Sequence, residues 1–365
     1  MDTGKNFVKK TNKEKLMERY QPKKEFVDRI EKLMGVEDAK KFFEISYFAT
    51  PDVIRVNTLK ISPSDLKKRL ESYGWKINQP YEKFPEVLYI LKESNLKPGE
   101  LGKVKEHLLG YFYVQEITSM LPIFALKPRE NELVLDLCAS PGSKTTQAAA
   151  MMQNKGTIIA NELNLGRIMI LNANLEKSGV SNVMVTRKDG VQFCYRWEKE
   201  IKIKFDKVLV DAPCSGEGTL RKSPRTFDMW NLKFIKSLSR VQRKLASEAL
   251  KLLKVEGEMV YSTCTLSPEE NESVVNYLKQ NFDIEIEKVD LPLKYRPGVL
   301  EWDGESFDSE IKNCVRIYPQ DNNSDGFFLA KIRKLSDKCL LEKEDAFDRF
   351  EEKYAEKDLE VVEDE

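Results

Sequence analysis

FDKVLVDAPCSGEGT (205–219) opens as a continuous apolar run and breaks into a Pro, Ser and Gly turn that carries a cysteine. Such a run reads as a strand buried on both faces of a parallel sheet, so Cys214 emerges at its carboxyl end. GEMVYST (257–263) has the same character and delivers Cys264, in YSTCTLSPEENE (261–272), to the same edge. That edge is where open α/β sheets bind ligands. Neither cysteine belongs to a C-x-x-C pair, and His107 is the only histidine. A redox dithiol, a Cys/His hydrolase and a zinc site are therefore disfavoured.

Outward from these two runs, LVLDL (133–137), TIIAN (157–161) and NVMVT (182–186) read as further strands, with helices predicted over 143–152, 165–178, 231–253 and 268–281. This alternation builds a parallel doubly wound sheet. NCVRIYP (313–319) and GFFLAKI (326–332) flank the turn-rich QDNNSD and predict an antiparallel hairpin on the sheet edge. Nearer the start, VIRVNTLK (53–60) reads as a strand, and Ser62 and Pro63 open a helix with Leu66, Leu70 and Tyr73 on one face and Gly74 at its end. VLYIL (87–91) supplies another strand. This small α/β unit resembles half of a ferredoxin-like or RNA-recognition-motif domain, without the stacking aromatics of the latter. The expected partition is a Lys-rich helical extension over 1–45, with Phe26, Ile30, Leu33 and Met34 at amphipathic spacing, then a small RNA-binding-like α/β domain over 46–108. A catalytic domain over 109–335 and an acidic tail over 336–365 follow.

Across 365 residues, 41% hydrophobic content suffices for a core, and six irregularly spaced cysteines imply a reduced, soluble, cytoplasmic protein. No 18-residue apolar stretch or secretory leader is seen, so no membrane partner is expected, and a monomer is. The zero net charge hides an asymmetry: residues 340–365 hold 12 Asp/Glu against 4 Lys/Arg, leaving the body with a net charge of about +8. A basic body suits a nucleic-acid partner, although charge runs are also ordinary solvated faces.

DLCASPGSKTTQ (136–147) ends a strand and starts a helix, where Gly142 lets backbone N–H groups approach a ligand at a positive helix terminus. It lacks the spacing of a Walker A loop and of G-x-G-x-x-G. Glu162 and Asp189 close the next two strands. One carboxylate there suits a ribose diol and the other an adenine amino group, though either alone also reads as a helix cap or a surface charge. Cys214 and Cys264 precede apparent helix starts, which lowers a thiol pKa, and Lys144 could add to this. A buried filler needs no Pro213, Ser215 and Gly216 around it. Cys138 contributes backbone to the loop, Cys194, Cys314 and Cys339 have no partner at useful spacing, and His107 reads as a surface or interdomain residue.

DLCASPGSK, ANE, KDG, DAPCSGEGTLRK, YSTCTLSPEENE and SDGFFLAKI, in this order, resemble the RNA cytosine-5 methyltransferases of the Nop2/Sun (NSUN, RsmB/Fmu) family, and more the smaller archaeal-type transfer RNA enzymes than the large nucleolar members. GYFYVQEITSMLP (110–122) and VIRVNTLK extend the likeness. It implies a class I, Rossmann-like α/β sheet dependent on S-adenosylmethionine, with a small RNA-recognition-motif-like N-terminal domain. By resemblance, the cofactor is held by Cys138, Ala139, Ser140, Pro141, Gly142, Ser143, Lys144, Glu162, Arg167, Asp189 and Asp211. The chemistry then follows: carbon 5 of cytosine is a poor nucleophile until a thiolate adds to carbon 6. The resemblance assigns that attack to Cys264 and release to Cys214; the residues alone leave their order open. Asp211, immediately before the Ala-Pro-Cys turn, would assist at ring nitrogen 3 when protonated, and Lys144 is counted with it and the two cysteines among the catalytic candidates.

The target cytidine must be unpaired or flipped out, which folded RNA permits. Arg221, Lys222 and Arg225 are the leading candidate phosphate contacts, followed by Lys103, Lys105, Arg55 and Lys60. The family implies transfer RNA or ribosomal RNA as the partner, transfer RNA ahead. The chain departs from its relatives at Gln320, where a histidine often follows the proline. The competing reading is an inactive RNA-binding or ribosome-assembly factor on the same fold; a methyltransferase acting on protein or a small molecule leaves the two thiols unexplained.

Overall fold

A computed structural model describes residues 17, 19–91, 93, 94 and 99–340. The first 16 residues of the expected extension and residues 341–365 of the expected tail lie outside the described residues.

The first helical segment is two helices, α1 (Lys24–Met34) and α2 (Val36–Ser46), divided at Gly35. Their apolar faces do not form a free-standing extension. Phe26, Ile30 and Phe42 are buried in one cluster with Leu220, Phe227, Trp230 and Leu266, residues that follow the two cysteine loops. Phe26 packs edge-on against Phe227 at 6.0 Å between ring centroids. The N-terminal helices thus buttress the segments that carry the thiols.

The small domain is a four-stranded antiparallel sheet of β1 (Asp52–Val56), β2 (Ile77–Asn78), β3 (Val87–Ile90) and β4 (Phe112–Val114), in the order β2-β3-β1-β4. Helix α3 (Pro63–Glu71) covers it. Ser62 caps α3 by accepting from Asp65 N, with Pro63 at the first turn, as the sequence indicated. Leu66 and Leu70 are buried against Ile54, Val56 and Leu88. Tyr73 is about half exposed and donates to Glu106 instead.

Helix α4 (Ile117–Leu126) leads into the main sheet. Its parallel strands are β5 (Leu133–Asp136), β6 (Thr157–Asn161), β7 (Val183–Thr186), β8 (Phe205–Asp211) and β9 (Leu253–Thr263), joined through α5 (Ser143–Met151), α6 (Leu165–Ser178), α7 (Gly190–Arg196) and α8 (Leu232–Leu252). After α9 (Glu272–Asn281) come β10 (Phe282–Glu287), β11 (Arg296–Pro297), β12 (Val315–Ile317) and β13 (Phe327–Cys339). The sheet order is β11-β12-β13-β9-β8-β5-β6-β7, and β10 also pairs with β13. Expected helix 268–281 begins only at Glu272, after turns.

The expected terminal hairpin exists and is added on the β9 edge of the parallel strands, with β11 and β10 extending the sheet beyond it. Strand β13 lies inside the sheet, antiparallel to β9 (Leu329 opposite Ser262), and β12 and β10 pair along its other side. It extends through Cys339, so residues 336–339 belong to the sheet rather than to a tail beginning at 336. Continuous apolar strands such as Val208, Leu209 and Val210 are buried on both faces because helices cover both.

Candidate active site

Parallel register brings the strand ends to one edge: Asp136 lies opposite Ala160 on β6, and Asp211 opposite Ser262 on β9. Beyond that edge a cleft of about 710 Å³ is lined by Cys138, Ser140, Glu162, Arg167, Asp189, Asp211, Cys214 and Cys264, with Val191, Ala212, Pro213, Val241 and Leu245 as apolar walls. Strand-end carboxylates and two sulfurs lining one partly apolar cleft match an adenosine-bearing methyl donor placed beside a reactive thiol.

Gly142 has φ +98°, and a Cβ there would meet Leu171 Cδ1 at 2.9 Å, so glycine is required to seat the loop after β5 against α6. Ala139 is buried beside Ala160, Leu171 and Leu175. Ala139, Pro141, Gly142 and Ser143 are thus the scaffold of the turn, while Cys138 and Ser140 face the cleft. Arg167 donates to Ser140 O at 2.7 Å and pairs with Glu162 at 3.3 Å, tying the loop to the end of β6. Asp189 caps α7 by accepting from Val191 N at 3.0 Å and Gln192 N at 3.1 Å through one oxygen. Cap and cleft wall are the same residue.

Cys214 Sγ lies 3.1 Å from Cys264 Sγ. The contact with Cys264, burial, and the charge of Glu270 hold the Cys214 thiol well above the usual thiol range. The helix-dipole expectation does not hold: a short 3-10 turn at Glu217–Thr219 follows Cys214, and α9 starts eight residues after Cys264. Lys144 Nζ sits 2.6 Å from Asp211 Oδ2 and 3.2 Å from Ser119 Oγ, while Ser262 donates to Asp211 Oδ1 at 2.7 Å. Asp211 is thereby fixed beside the thiols. Behind it, burial pushes the Asp136 carboxyl up to about 6, partly opposed by the Thr145 hydroxyl at 2.7 Å.

A buried polar frame that the sequence reading passed over holds the two cysteine loops together. Ser215 and Thr265, each next to a thiol, meet at 2.8 Å between hydroxyl oxygens. Glu270 accepts from Ser215 N at 3.0 Å and Gln242 Nε2 at 2.8 Å, and from the Ser215 hydroxyl. Glu217 accepts from Trp230 Nε1 at 2.7 Å and Thr265 Oγ1 at 3.2 Å, and burial pushes it up to about 7. Gly218 N donates to Cys264 O at 2.9 Å. The available signal was the density of Ser, Thr and Glu around both cysteines, whose partners are about 50 residues apart in the chain.

The proposed phosphate contacts need correction. Arg221 is buried, only 7% exposed, and commits four of its five N–H donors to Phe48 O, Ala49 O, Ser324 O and Asn323 Oδ1, which makes it a structural tie rather than a surface cation. Arg55 is buried between the domains, bonded to Gln115, Ser143 O and Thr146, and burial pushes it down to about 10. Lys60 is spent on Leu109 O and Lys177 O. Lys222 is half exposed but pairs with Asp325 at 2.7 Å; Arg225, Lys103 and Lys105 are exposed. His107 bridges the domains, with Nδ1 at 2.9 Å from Gly102 O and Nε2 at 3.4 Å from Lys177 Nζ. Gln320 Nε2 meets Met34 Sδ at 3.4 Å, so this side chain packs against α1.

The profile of 16S rRNA methyltransferase RsmB/F matches residues 123–333, and that of the N-terminal domain of 16S rRNA methyltransferase RsmF matches residues 23–117. The tRNA (cytosine(49)-C(5))-methyltransferase of Pyrococcus abyssi is 42% identical over 311 residues, covering 85% of this chain and 96% of that protein. Ribosomal RNA small subunit methyltransferase F of Vibrio cholerae is 41% identical over 285 residues, covering 78% of this chain but only 57% of the longer relative. Among solved structures, a methyltransferase homolog protein from Pyrococcus horikoshii superposes with a TM-score of 0.76 at 35% identity, covering 89% of this chain and all of that one. NSun6 from Pyrococcus horikoshii with SFG gives 0.73 at 26% identity, covering 86% and 98%. With its class I, S-adenosylmethionine-dependent fold, the chain belongs to the RsmB/F (Nop2/Sun) family of RNA cytosine-5 methyltransferases.

Proposed function

We propose that this protein methylates carbon 5 of a cytidine in transfer RNA through a covalent adduct between Cys264 and carbon 6 of the base. One observation carries the reading: two sulfurs 3.1 Å apart in the lining of the cleft that Glu162, Asp189 and Asp211 also line. The relative whose length this chain nearly matches acts on transfer RNA, which supports that substrate over ribosomal RNA. The catalytic residues are Cys264, Cys214, Asp211 and Lys144, and the small domain at 46–108 is read as an RNA-binding partner of the catalytic domain at 109–335.

S-adenosylmethionine, when bound, supplies an electrophilic methyl group. The Cys264 thiolate adds to carbon 6, and the carbon 5–carbon 6 electron pair becomes available at carbon 5. The Lys144–Asp211 pair stands where a proton-bearing group can stabilise the charge that builds on the base at nitrogen 3. After methyl transfer the carbon 5 proton leaves, its bonding pair restores the ring double bond, and the carbon 6–sulfur bond breaks to return the Cys264 thiolate. One proton is released per turnover. While both sulfurs are free, contact with Cys264 and burial hold Cys214 as the neutral thiol, so it does not compete as a nucleophile; once the Cys264 sulfur is bonded to carbon 6 that contact is lost, and the Cys214 thiolate takes the carbon 5 proton and passes it to solvent.

Methyl transfer from radiolabelled S-adenosylmethionine to a transfer RNA transcript tests the assignment. Cys264→Ala is expected to abolish incorporation while S-adenosylhomocysteine binding persists; incorporation at the unaltered rate would falsify the nucleophile.

A further inference from the structure

The outer face of α8 presents cations at 233, 236, 240 and 243, a three-to-four-residue spacing that puts them in one stripe along the helix. The opposite face, with Ile235, Leu245, Ala246 and Ala249, is buried in the core. Lys233, Lys236 and Arg240 are exposed. None of the three makes a side-chain ion pair among the described residues. Arg240 lies at a junction, lining both the cofactor and thiol cleft and a neighbouring groove that Lys236 and Arg243 also line. Arg243 donates to Ser273 Oγ at 2.7 Å, yet its Nε is buried and has no hydrogen-bond partner, a donor that an incoming acceptor would satisfy.

Three carboxylates share this groove. Glu269 is engaged by Arg29 at 2.8 Å and Asp303 faces Lys32 at 3.3 Å, so only Glu305 is left uncompensated against the three cations. About a third of a turn round the helix from Lys233 and Arg240, on the side that faces the cofactor cleft, Phe234 is 52% exposed and Val241 is 46% exposed. They are one heptad apart, and Val241 also walls the cofactor cleft. Cations tracking a backbone with an exposed aromatic alongside are what a single nucleic-acid strand requires.

We propose that the outer face of α8 carries the RNA strand flanking the target cytidine, with Lys233, Lys236, Arg240 and Arg243 on successive phosphates and Phe234 stacked on a flanking base. This rests on the RNA methyltransferase reading and adds to it the path by which the strand leaves the thiol cleft. It also places the principal phosphate contacts away from Arg221.

The test uses the full chain and a transfer RNA transcript, with the dissociation constant measured across a salt series and S-adenosylhomocysteine affinity measured in parallel. Lys236→Gln/Arg243→Gln leaves the lining of the cofactor cleft unchanged, and Lys233→Gln/Lys236→Gln alters only exposed side chains. Each is expected to weaken RNA binding by on the order of tenfold and to lower the slope of log affinity against log salt by about 1.4, at roughly 0.7 per single-strand phosphate contact. Phe234→Ala is expected to weaken binding about tenfold with the slope unchanged. Cofactor affinity should not move. Wild-type affinity and slope in both double variants overturn the proposal; a wild-type protein that neither binds nor methylates the transcript overturns the functional reading instead.

Discussion

Ser215 Oγ and Thr265 Oγ1 are 2.8 Å apart, each one residue beyond a cysteine, so the two thiol loops are joined immediately behind their sulfurs. Glu270 accepts from the Ser215 side of this contact and Glu217 from the Thr265 side. Hydrogen-bonded groups buried in this way hold geometry because breaking any one strands a desolvated partner. The spacing of the sulfurs is therefore set by a frame of neutral and acidic side chains.

If Cys214 serves release, Cys214→Ala still forms the carbon 6 adduct and methylates it, but resolves it slowly. The variant should accumulate a protein–RNA species that survives denaturing electrophoresis, at a level absent from the wild type. Appearance of that species with Cys264→Ala instead exchanges the two roles.

Glu217 is 2% exposed, and its carboxyl is pushed from an ordinary 4.5 to about 7. Between these values the folded protein holds a proton that the unfolded chain has lost, so this group's contribution makes stability fall as pH rises from about 4.5 to 7. The full effect is up to roughly 3 kcal/mol. Glu217→Gln keeps an acceptor for Trp230 and removes the titration. Melting temperatures at pH 5 and pH 7.5 should therefore differ less in the variant than in the wild type, and an unchanged difference rules out Glu217 as its source.

Arg221→Ala deletes a guanidinium that ties the end of α2 to the turn before β13 through Phe48, Ala49, Asn323 and Ser324. Losing this tie, with the buried Ser324 O left unpaired, should cost about 1–3 kcal/mol in denaturant unfolding. The salt slope of RNA binding should stay at its wild-type value. A flattened slope with undiminished stability would return Arg221 to the RNA surface.

The strand runs, the cysteine edge and the acidic strand ends were readable directly because each depends on near neighbours. Periodicity marks a strand, parallel register then carries every strand's last residue to the same side, and Ser62 with Pro63 announces its own helix. Charge is not legible in that way. Arg221 and Arg55 look like phosphate contacts in sequence, and only the folded chain shows carbonyls from distant segments converging on them. The interior place of β13 has the same origin, since an apolar strand carries no mark of which neighbours it will have.

The chain by itself determined the doubly wound sheet and the two thiols at its carboxyl edge, because strand burial and strand direction are local consequences of residue pattern. The tertiary structure alone decided that the sulfurs touch, that Glu217 and Glu270 frame them, and which of the candidate cations are buried and which stand at the surface. Those depend on contacts between residues far apart in the chain, where burial and pairing convert identical side chains into scaffold or surface.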